Sequence, residues 1–500
     1  MQPIVWTIAG SDSSGLAGLQ ADLKTFHHLG VHGCSIVSAV TSQHSHALSH
    51  VAFQSADTIT SQMEVMKEIL KPSVVKIGML GSIEMIEAIL PRLSALKVNI
   101  VLDPVFRASS GPDLVKDEMN LYLSHFKKLI SIVDIITPNL NEAAMLVGYP
   151  VDHKESIERA ARDLLLMGAK NVCIKGGHNT HDLFSQDYFT NGRDSFWLSS
   201  QRYPKANYRG TGCVFASAIA SALALNYEIE DALVIAKMVV SRAIRLSSLV
   251  NESAAKLHHD EWPDEQIDLP YLTHQPLQSI PSTFPNCGDT SLGLYPVVDS
   301  FEWVKKLLPM GVTTIQLRIK DKAGVALEEE IAEAVHFAKS HNARLFINDH
   351  WQLAVKYRAY GVHLGQEDLN DADVEAIKKA GLRLGISTHA YYEVARAHAY
   401  HPSYMACGPI YATTSKVMPF QPQGVGALTR WRTLLSYPLV AIGGIDLTRI
   451  DEVKATGVDG IAMISAITKV NDPIATTNYL LQKVNDDVDQ TRLRTLRAAN

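Results

Sequence analysis

Polar residues recur in the second half of the chain, each group closing a short apolar run. They are Gln316-Leu317-Arg318-Ile319-Lys320, Phe346-Ile347-Asn348-Asp349, His363-Leu364-Gly365-Gln366-Glu367-Asp368, Ser387-Thr388-His389, Thr413-Thr414-Ser415-Lys416 and Gly443-Gly444. In a parallel β/α barrel the C-terminal strand ends converge on one pocket. Asp349 and Asp368 would then end neighbouring strands, and two carboxylates that leave room for substrate phosphates suit Mg2+. Arg318, Lys320 and Lys416 would neutralise a leaving diphosphate, the arginine bidentately and the lysines as point charges. Asn348 and Ser387 add neutral donors. Gly443-Gly444 and Ile464-Ser465 end the last two apolar runs, where barrels commonly bind a phosphate through backbone N–H groups. Taken singly, each reads more simply as a solvated loop residue or a cap. Their recurrence on one barrel face favours chemistry.

The first half carries a different set. Arg209-Gly210-Thr211-Gly212-Cys213 precedes a small-residue stretch at 214–225 that reads as a helix. Glycines at a helix start let the backbone turn tightly and aim N–H groups at an anion. Such a hole can stabilise a phosphoryl group in transfer. Cys213 would sit where the positive dipole end favours thiolate, ready to act as a base; the alternative is a small buried core residue. In Thr137-Pro138-Asn139-Leu140-Asn141-Glu142, Asn139 and Glu142 read either as Mg2+ ligands or as a helix N-cap with an acidic first turn. Lys175-Gly176-Gly177 ends an apolar run, where a lysine can reach nucleotide phosphates. Ala9-Gly10-Ser11-Asp12-Ser13-Ser14-Gly15 resembles a phosphate loop but lacks the Walker pattern.

Elements that would position these groups are legible in outline. Residues 4–9, 34–40, 74–79, 99–103, 133–137 and 171–175 are strand candidates, several apolar throughout as in a parallel sheet covered on both faces. Leu16, Leu19, Leu23, Phe26 and Leu29 fall at helical spacing, with Gly30 as the stop. The first half therefore reads as an α/β layered domain. In the second half, strands at 293–299, 313–318, 344–348, 361–364, 383–387, 404–410, 439–443 and 460–465 alternate with helices, fitting an eight-stranded β/α (TIM) barrel. Pro263, Pro270, Pro276, Pro281 and Pro285 interrupt every helix between the halves. The division is thus a first domain at 1–255, a Pro-rich linker at 256–289 and a barrel domain at 290–490.

With 500 residues, 20% charged and a net charge of -6, the chain is globular, exceeds one ordinary domain and offers no broad basic surface for nucleic acid. Its five cysteines are dispersed without C-x-x-C spacing, as reduced thiols in a cytoplasmic protein would be. The N-terminus shows no signal peptide, and the longest small-apolar stretch is too short to cross a membrane.

Residues 4–249 closely resemble the hydroxymethylpyrimidine/phosphomethylpyrimidine kinases, a branch of the ribokinase-like kinases. Thr7-Ile8-Ala9-Gly10-Ser11-Asp12, Gln20-Ala21-Asp22-Leu23-Lys24-Thr25-Phe26, Lys76-Ile77-Gly78-Met79-Leu80, Lys175-Gly176-Gly177-His178 and Gly210-Thr211-Gly212-Cys213 carry the match. The resemblance implies that Gln43, Met79, Gly10 and Asp22 form the pyrimidine site. Lys175, Asn139 and Glu142 would serve ATP and Mg2+, and Cys213, Gly210 and Gly212 the transfer itself. Two departures stand out: Arg209 where a histidine is usual, and Ser13 and Leu16 in a loop that often carries a proline and another glycine.

Residues 293–467 closely resemble thiamine-phosphate synthase, through Tyr295-Pro296-Val297-Val298-Asp299, Gly408-Pro409-Ile410-Tyr411 and the strand ends above. That resemblance implies a pyrimidine diphosphate on Gln316, Arg318, Lys320, Asn348, Ser387 and Lys416. It places Mg2+ on Asp349 and Asp368, and a thiazole phosphate on Thr413, Thr414, Ser415, Gly444, Ile464 and Ser465. Ala412 and Ser415 replace the usual proline and threonine. Together the resemblances imply a bifunctional enzyme of thiamine biosynthesis whose first product is its second substrate. Its partners are then these small molecules and ATP, with no nucleic acid and no membrane, and the kinase relatives imply a homodimer through the first domain. Two other readings stay open. One is a non-catalytic sensor on the same folds, which predicts loss of Cys213, Asp349 or Asp368. The other is a pyridoxal-type kinase fused to a different phosphate-binding barrel.

Overall fold

A computed structural model describes residues 2–44, 47–107, 114–177, 183–203, 208–251, 254–259, 262–288, 290–413 and 421–485. It divides into two compact units. One runs to Pro263 and includes Ile267–Ile280; the other comprises Asp264–Gln266 and the chain from Pro281 onward.

The first unit is built on a ten-stranded sheet. Six strands are parallel: His32–His44, Ile4–Asp12, Val74–Ile77, Asn99–Leu102, Ile135–Ile136 and Asn171–Lys175, in that spatial order. Val74–Ile77 is buried at every position, as expected of a strand covered on both faces. Antiparallel strands extend both edges: Ala47–Phe53 beside His32–His44, and Phe184–Thr190 then Ser195–Gln201 beyond Asn171–Lys175. The helix Thr211–Ala224 packs against the central strands. Its small residues from Val214 to Ala222 are all buried, so the helix lies close against its neighbours. Ser11 and Asp12 belong to the first strand, which makes the following loop shorter than the sequence suggests.

The Pro-rich stretch 256–289 is not a linker throughout. Tyr271–Thr273 pairs antiparallel with Ser195–Gln201 at the sheet edge, and Asp268, fully buried, takes Arg245 at 2.6 Å. Prolines tolerate an edge strand because its outer side needs no partner. They bracket this one at Pro270 and Pro276 and do not prevent it. In the second unit, Phe284 and Cys287 are buried, and Arg344 donates to the carbonyls of Cys287, Thr290 and Ser291. That guanidinium fastens the incoming chain to the barrel's N-terminal end.

The second unit is a closed parallel barrel of Gly293–Val298, Thr314–Leu317, Arg344–Asn348, Gly361–Leu364, Arg383–Thr388, Tyr404–Cys407, Leu439–Ile442 and Gly460–Met463. Most strands are short and fully buried, because side chains fill the interior as well as the helix-facing side. Tyr295, Phe346 and Tyr404 occupy much of that interior.

Candidate active sites in the two units

In the first unit, chemistry-bearing residues collect along the C-terminal edge of the parallel strands, the side on which open α/β sheets bind ligands. Asn171–Lys175 ends in Lys175, whose ammonium lies 2.7 Å from the Asp103 carboxylate at the end of Asn99–Leu102. Gly210 starts the helix Thr211–Ala224 with φ 84°, and a Cβ there would stand 2.2 Å from the Leu16 carbonyl oxygen. A Cβ on Gly212 would stand 3.1 Å from Lys175 Nζ and 3.6 Å from an Asp103 oxygen. The glycines thus let the helix start approach this charged pair closely.

Cys213, in the first turn, is half-buried. The expectation that the helix start favours its thiolate is not met. Burial pushes the thiol up to about 11, despite the opposing pull of Lys76 and a hydrogen bond from the Gly18 N–H. Removing the sulfur from water, with the charges of Asp22 and Asp103 added, outweighs Lys76 and the Gly18 N–H.

Beneath the site lies a buried polar network. Lys76 Nζ contacts both Asp22 oxygens at 3.0 and 2.9 Å, and Thr7 and Ser217 donate to the same carboxylate at 2.6 and 2.8 Å. Burial works against the Lys76 charge, but Asp22, with Cys213 and Asp103, outweighs it and raises its pKa. Asp22, expected at the pyrimidine, is fully enclosed. Its carboxylate is engaged inside the protein by Lys76, Thr7 and Ser217. Gly10 and Met79 do meet, a Cβ on Gly10 falling 3.0 Å from the Met79 sulfur. Gln43, near the end of His32–His44, is bonded to Ser13 and Arg209.

Asn139 caps the helix Leu140–Val147 in a reciprocal capping box: it accepts from the Glu142 N–H at 2.9 Å, and Glu142 accepts from the Asn139 N–H at 2.7 Å. The N-cap reading is therefore realised. Glu142 remains chemically poised, because burial and then Asp103 push its carboxyl up to about 7 against Lys175. A divalent cation would relieve that crowding of carboxylates, so the donor set fits one.

In the barrel, Asp349 follows Arg344–Asn348 with φ 61°, a sparsely populated conformation that clusters at functional sites. Lys320 donates to its carboxylate. Burial works against the Asp349 charge, but Lys320 outweighs it and holds the carboxyl below its ordinary range. Burial and the neighbouring Asp349 charge push Asp368 up; its oxygen also accepts from the Gly365 N–H at 3.1 Å. Two carboxylates in contact, one driven toward its protonated form, again fit a site for a hard divalent cation. Among the described residues no cluster of three or more His, Cys, Asp or Glu could hold a metal.

Arg318 is half-buried and carries no side-chain partner among the described residues. Gln316 donates to the Tyr295 hydroxyl at 3.4 Å, and Ser387 meets His363 Nε2 at 2.8 Å. His363 Nδ1 meets the Tyr404 hydroxyl at 2.7 Å, which meets Tyr295 at 2.8 Å. This buried chain joins two predicted site residues through three that sequence reasoning did not single out. Asn348 is nearly buried. Gly443 and Gly444 have φ 100° and 64°, and Arg449 donates to the Gly444 carbonyl at 2.6 Å. Ile464 and Ser465 open the short helix Ser465–Thr468, and Thr413 is described. Thr414, Ser415 and Lys416 lie outside the described residues.

Residues 12–258 match the family model described as phosphomethylpyrimidine kinase, and residues 294–467 the one described as thiamine monophosphate synthase. Thiamine-phosphate synthase of Proteus mirabilis is 56% identical over 197 residues, 39% of this chain and 92% of that protein. The enzyme of Photorhabdus laumondii is 58% identical over 194 residues, 39% and 90%. Among solved structures, a phosphomethylpyrimidine kinase from Clostridium difficile is 36% identical and covers 49% of this chain and 100% of its own, with a TM-score of 0.43. A pyridoxal kinase from Staphylococcus aureus in complex with ADP is 29% identical, covers 54% and 98%, and has a TM-score of 0.49. No helix among the described residues is long and apolar enough to cross a membrane.

Proposed function

Because the chain belongs to the thiamine-phosphate synthase family through residues 294–467 and carries a phosphomethylpyrimidine kinase unit at 12–258, we propose how its own residues divide the two stages of thiamine phosphate synthesis. It is a bifunctional transferase: the kinase unit makes the pyrimidine diphosphate, and the barrel condenses it with thiazole phosphate.

In the kinase unit, Cys213 in its minor thiolate form takes the proton from the hydroxyl of hydroxymethylpyrimidine. The oxygen attacks the γ-phosphorus of ATP, and ADP leaves. In a second round a phosphate oxygen of the monophosphate attacks another ATP. The N–H groups after Gly210 and the Lys175 ammonium face the charge developing on the transferred group. Gln43, Gly10 and Met79 hold the pyrimidine. Glu142, with Asn139 fixing its place, would hold Mg2+, which supplies charge neutralisation at the ATP phosphates.

In the barrel, the bond from the pyrimidine methylene to the diphosphate oxygen breaks, and Arg318, Lys320 and Lys416 receive the leaving charge. The aminopyrimidine ring shares the positive charge left on carbon. The thiazole nitrogen then attacks that carbon, and no protein nucleophile is needed. Gln316, Asn348 and Ser387 orient the pyrimidine. Thr413, Thr414, Ser415, Gly444, Ile464 and Ser465 hold the thiazole phosphate. Asp349 and Asp368 would bind Mg2+, which adds charge neutralisation for the diphosphate. The observation that carries this reading is the contact of Asp349 with both Lys320 and Asp368 at the C-terminal mouth of a closed barrel.

Free cysteines throughout the described chain favour a reducing, cytoplasmic setting. Ala47–Phe53, paired on one side only, offers an edge for dimerisation through the kinase unit. The test of function is one reaction containing the purified chain, hydroxymethylpyrimidine, thiazole phosphate, ATP and Mg2+, analysed for thiamine phosphate. Product should require every component, and Asp349→Ala should stop at the pyrimidine diphosphate. Absence of product when that diphosphate is supplied directly would sink the barrel assignment.

A further inference from the structure

Two of the residues that depart from the kinase pattern, Ser13 and Arg209, meet on one residue. The Ser13 hydroxyl accepts from the Gln43 N–H at 2.9 Å and donates to the Gln43 carbonyl at 2.9 Å. Arg209 donates from one terminal nitrogen to Gln43 Oε1 at 3.0 Å and from the other to the His44 carbonyl at 2.7 Å. Gln43 is thus held through its backbone from the loop after the first strand, and through its amide from the residue preceding Gly210. Neither side of this grip survives the commoner residues. A proline at position 13 has no hydroxyl. A histidine at 209 is shorter and lacks the planar fork that reaches two oxygens at once.

The Arg209 bonds in the structure go to neutral oxygens. The residue is 7% exposed, and its Nε finds no partner among the described residues. A buried guanidinium bonded to an amide and a carbonyl carries a desolvation cost that no ion pair offsets among the described residues. A charge-assisted bond to Oε1 is the stronger kind and removes the amide's freedom to flip. Fixed this way, Gln43 presents its oxygen and its NH2 at set positions. Such an edge matches a ring nitrogen beside an exocyclic amine, as an aminopyrimidine offers. It leaves unpaired groups against a ring without that amine.

We propose that Ser13 and Arg209 form a clamp that locks the Gln43 amide and makes the kinase unit selective for an aminopyrimidine over a pyridine such as pyridoxal. They are positioning residues: they act through Gln43 and need not touch substrate. The inference rests on the reading that Gln43 faces the pyrimidine.

The experiment uses the full chain and follows ADP release with hydroxymethylpyrimidine and, separately, with pyridoxal. Arg209→Ala should raise KM for hydroxymethylpyrimidine roughly tenfold, the loss expected for one charge-assisted bond, with a smaller change in kcat and none in KM for ATP. The preference over pyridoxal should fall by a similar factor. Arg209→Lys, which keeps charge without the fork, should restore only part of both. Ser13 is exposed, so Ser13→Ala should keep the fold and move KM in the same direction; it carries the test if the Arg209 variants unfold. The double variant should lose less than the sum of the singles. An unchanged KM for hydroxymethylpyrimidine in both single variants overturns the clamp, as does a loss confined to kcat or to KM for ATP. Gln43→Ala separates the two failures. If it too leaves KM unchanged, the pyrimidine reading of Gln43 is what fails; if it raises KM while Ser13 and Arg209 are silent, only the clamp does.

Discussion

The Cys213 thiol should resist ionisation, and the structure supplies both the size and the direction of the effect. Burial pushes it up to about 11 against the pull of Lys76. At pH 7.5 that leaves about 0.03% thiolate, against about 9% for an unperturbed cysteine, a deficit of roughly 300-fold. Native alkylation reads this directly, since Cys34, Cys173, Cys287 and Cys407 are all buried and Cys213 is not. Peptide mapping after short exposure to iodoacetamide should show Cys213 labelling rise about tenfold per pH unit from pH 7 to 9.5, without a plateau. Lys76→Met should slow labelling further, because it removes the cation that lowers the pKa; Asp22→Asn should speed it, because it removes an anion that raises it. Kinase kcat/KM, which reports the free enzyme, should climb over the same range. A labelling plateau below pH 9 would refute the argument, since it would mean that the helix start and Lys76 outweigh burial. A flat kcat/KM beside steeply rising labelling would refute a different link, the role of the Cys213 thiolate as base.

Three other outcomes follow from the same geometry. Lys76→Met leaves the Asp22 carboxylate buried without its cation and should destabilise the kinase unit by about 3–5 kcal/mol; Asp22→Leu in the same chain should recover most of it, both read by hydrogen exchange in the strands flanking Ile4–Asp12. The Glu142 carboxyl, raised to about 7, is neutral below that pH and charged above it, so half-saturation by Mg2+ in the kinase reaction should rise as pH falls through 7, and Glu142→Gln should abolish that dependence. Arg318→Lys keeps the charge but loses the two-pronged grip, and KM for the pyrimidine diphosphate in the barrel reaction should rise by about tenfold.

The barrel was legible because two signals coincide in most repeats: a short, predominantly apolar run, and a polar group or glycine where it stops. Both survive without knowledge of tertiary contacts. The antiparallel strands Phe184–Thr190 and Ser195–Gln201 mix polar and apolar positions, and nothing local separates them from loops. The Asp22–Lys76 pair spans 54 residues, yet half of it was readable. A lysine inside Val74-Val75-Lys76-Ile77 sits in a strand too apolar to face water, so it must meet a carboxylate. Which carboxylate is a fact of packing. Asp103 was counted as the end of a strand, and only the fold brings Asn171–Lys175 near enough for it to take Lys175. The Tyr295–Tyr404–His363 chain was hidden for the same reason, since those side chains meet only when the barrel closes.

The two units share no fold, yet each holds the lysine proposed to meet phosphate in the same way. Lys175 is paired with Asp103 and Lys320 with Asp349, each lysine at the C-terminal end of a parallel strand system. Such a pair orients the ammonium, but it also fixes a condition on binding. A phosphate that takes the lysine leaves a carboxylate, buried in Asp103 and half-buried in Asp349, facing more negative charge, and an uncompensated buried charge costs several kcal/mol. In both units a second carboxyl makes this worse: Glu142 near Asp103, and Asp368 against Asp349, each pushed up by burial first and by its neighbour's charge after it. Proton uptake by these carboxyls is one way to restore balance, and a divalent cation is the other. At neutral pH, with three or more negative charges arriving on ATP or a diphosphate, one proton is not enough. On the proposed assignment of these residues, the ion pairs themselves favour a divalent cation in both reactions, and activity should fall away when Mg2+ is removed by chelation.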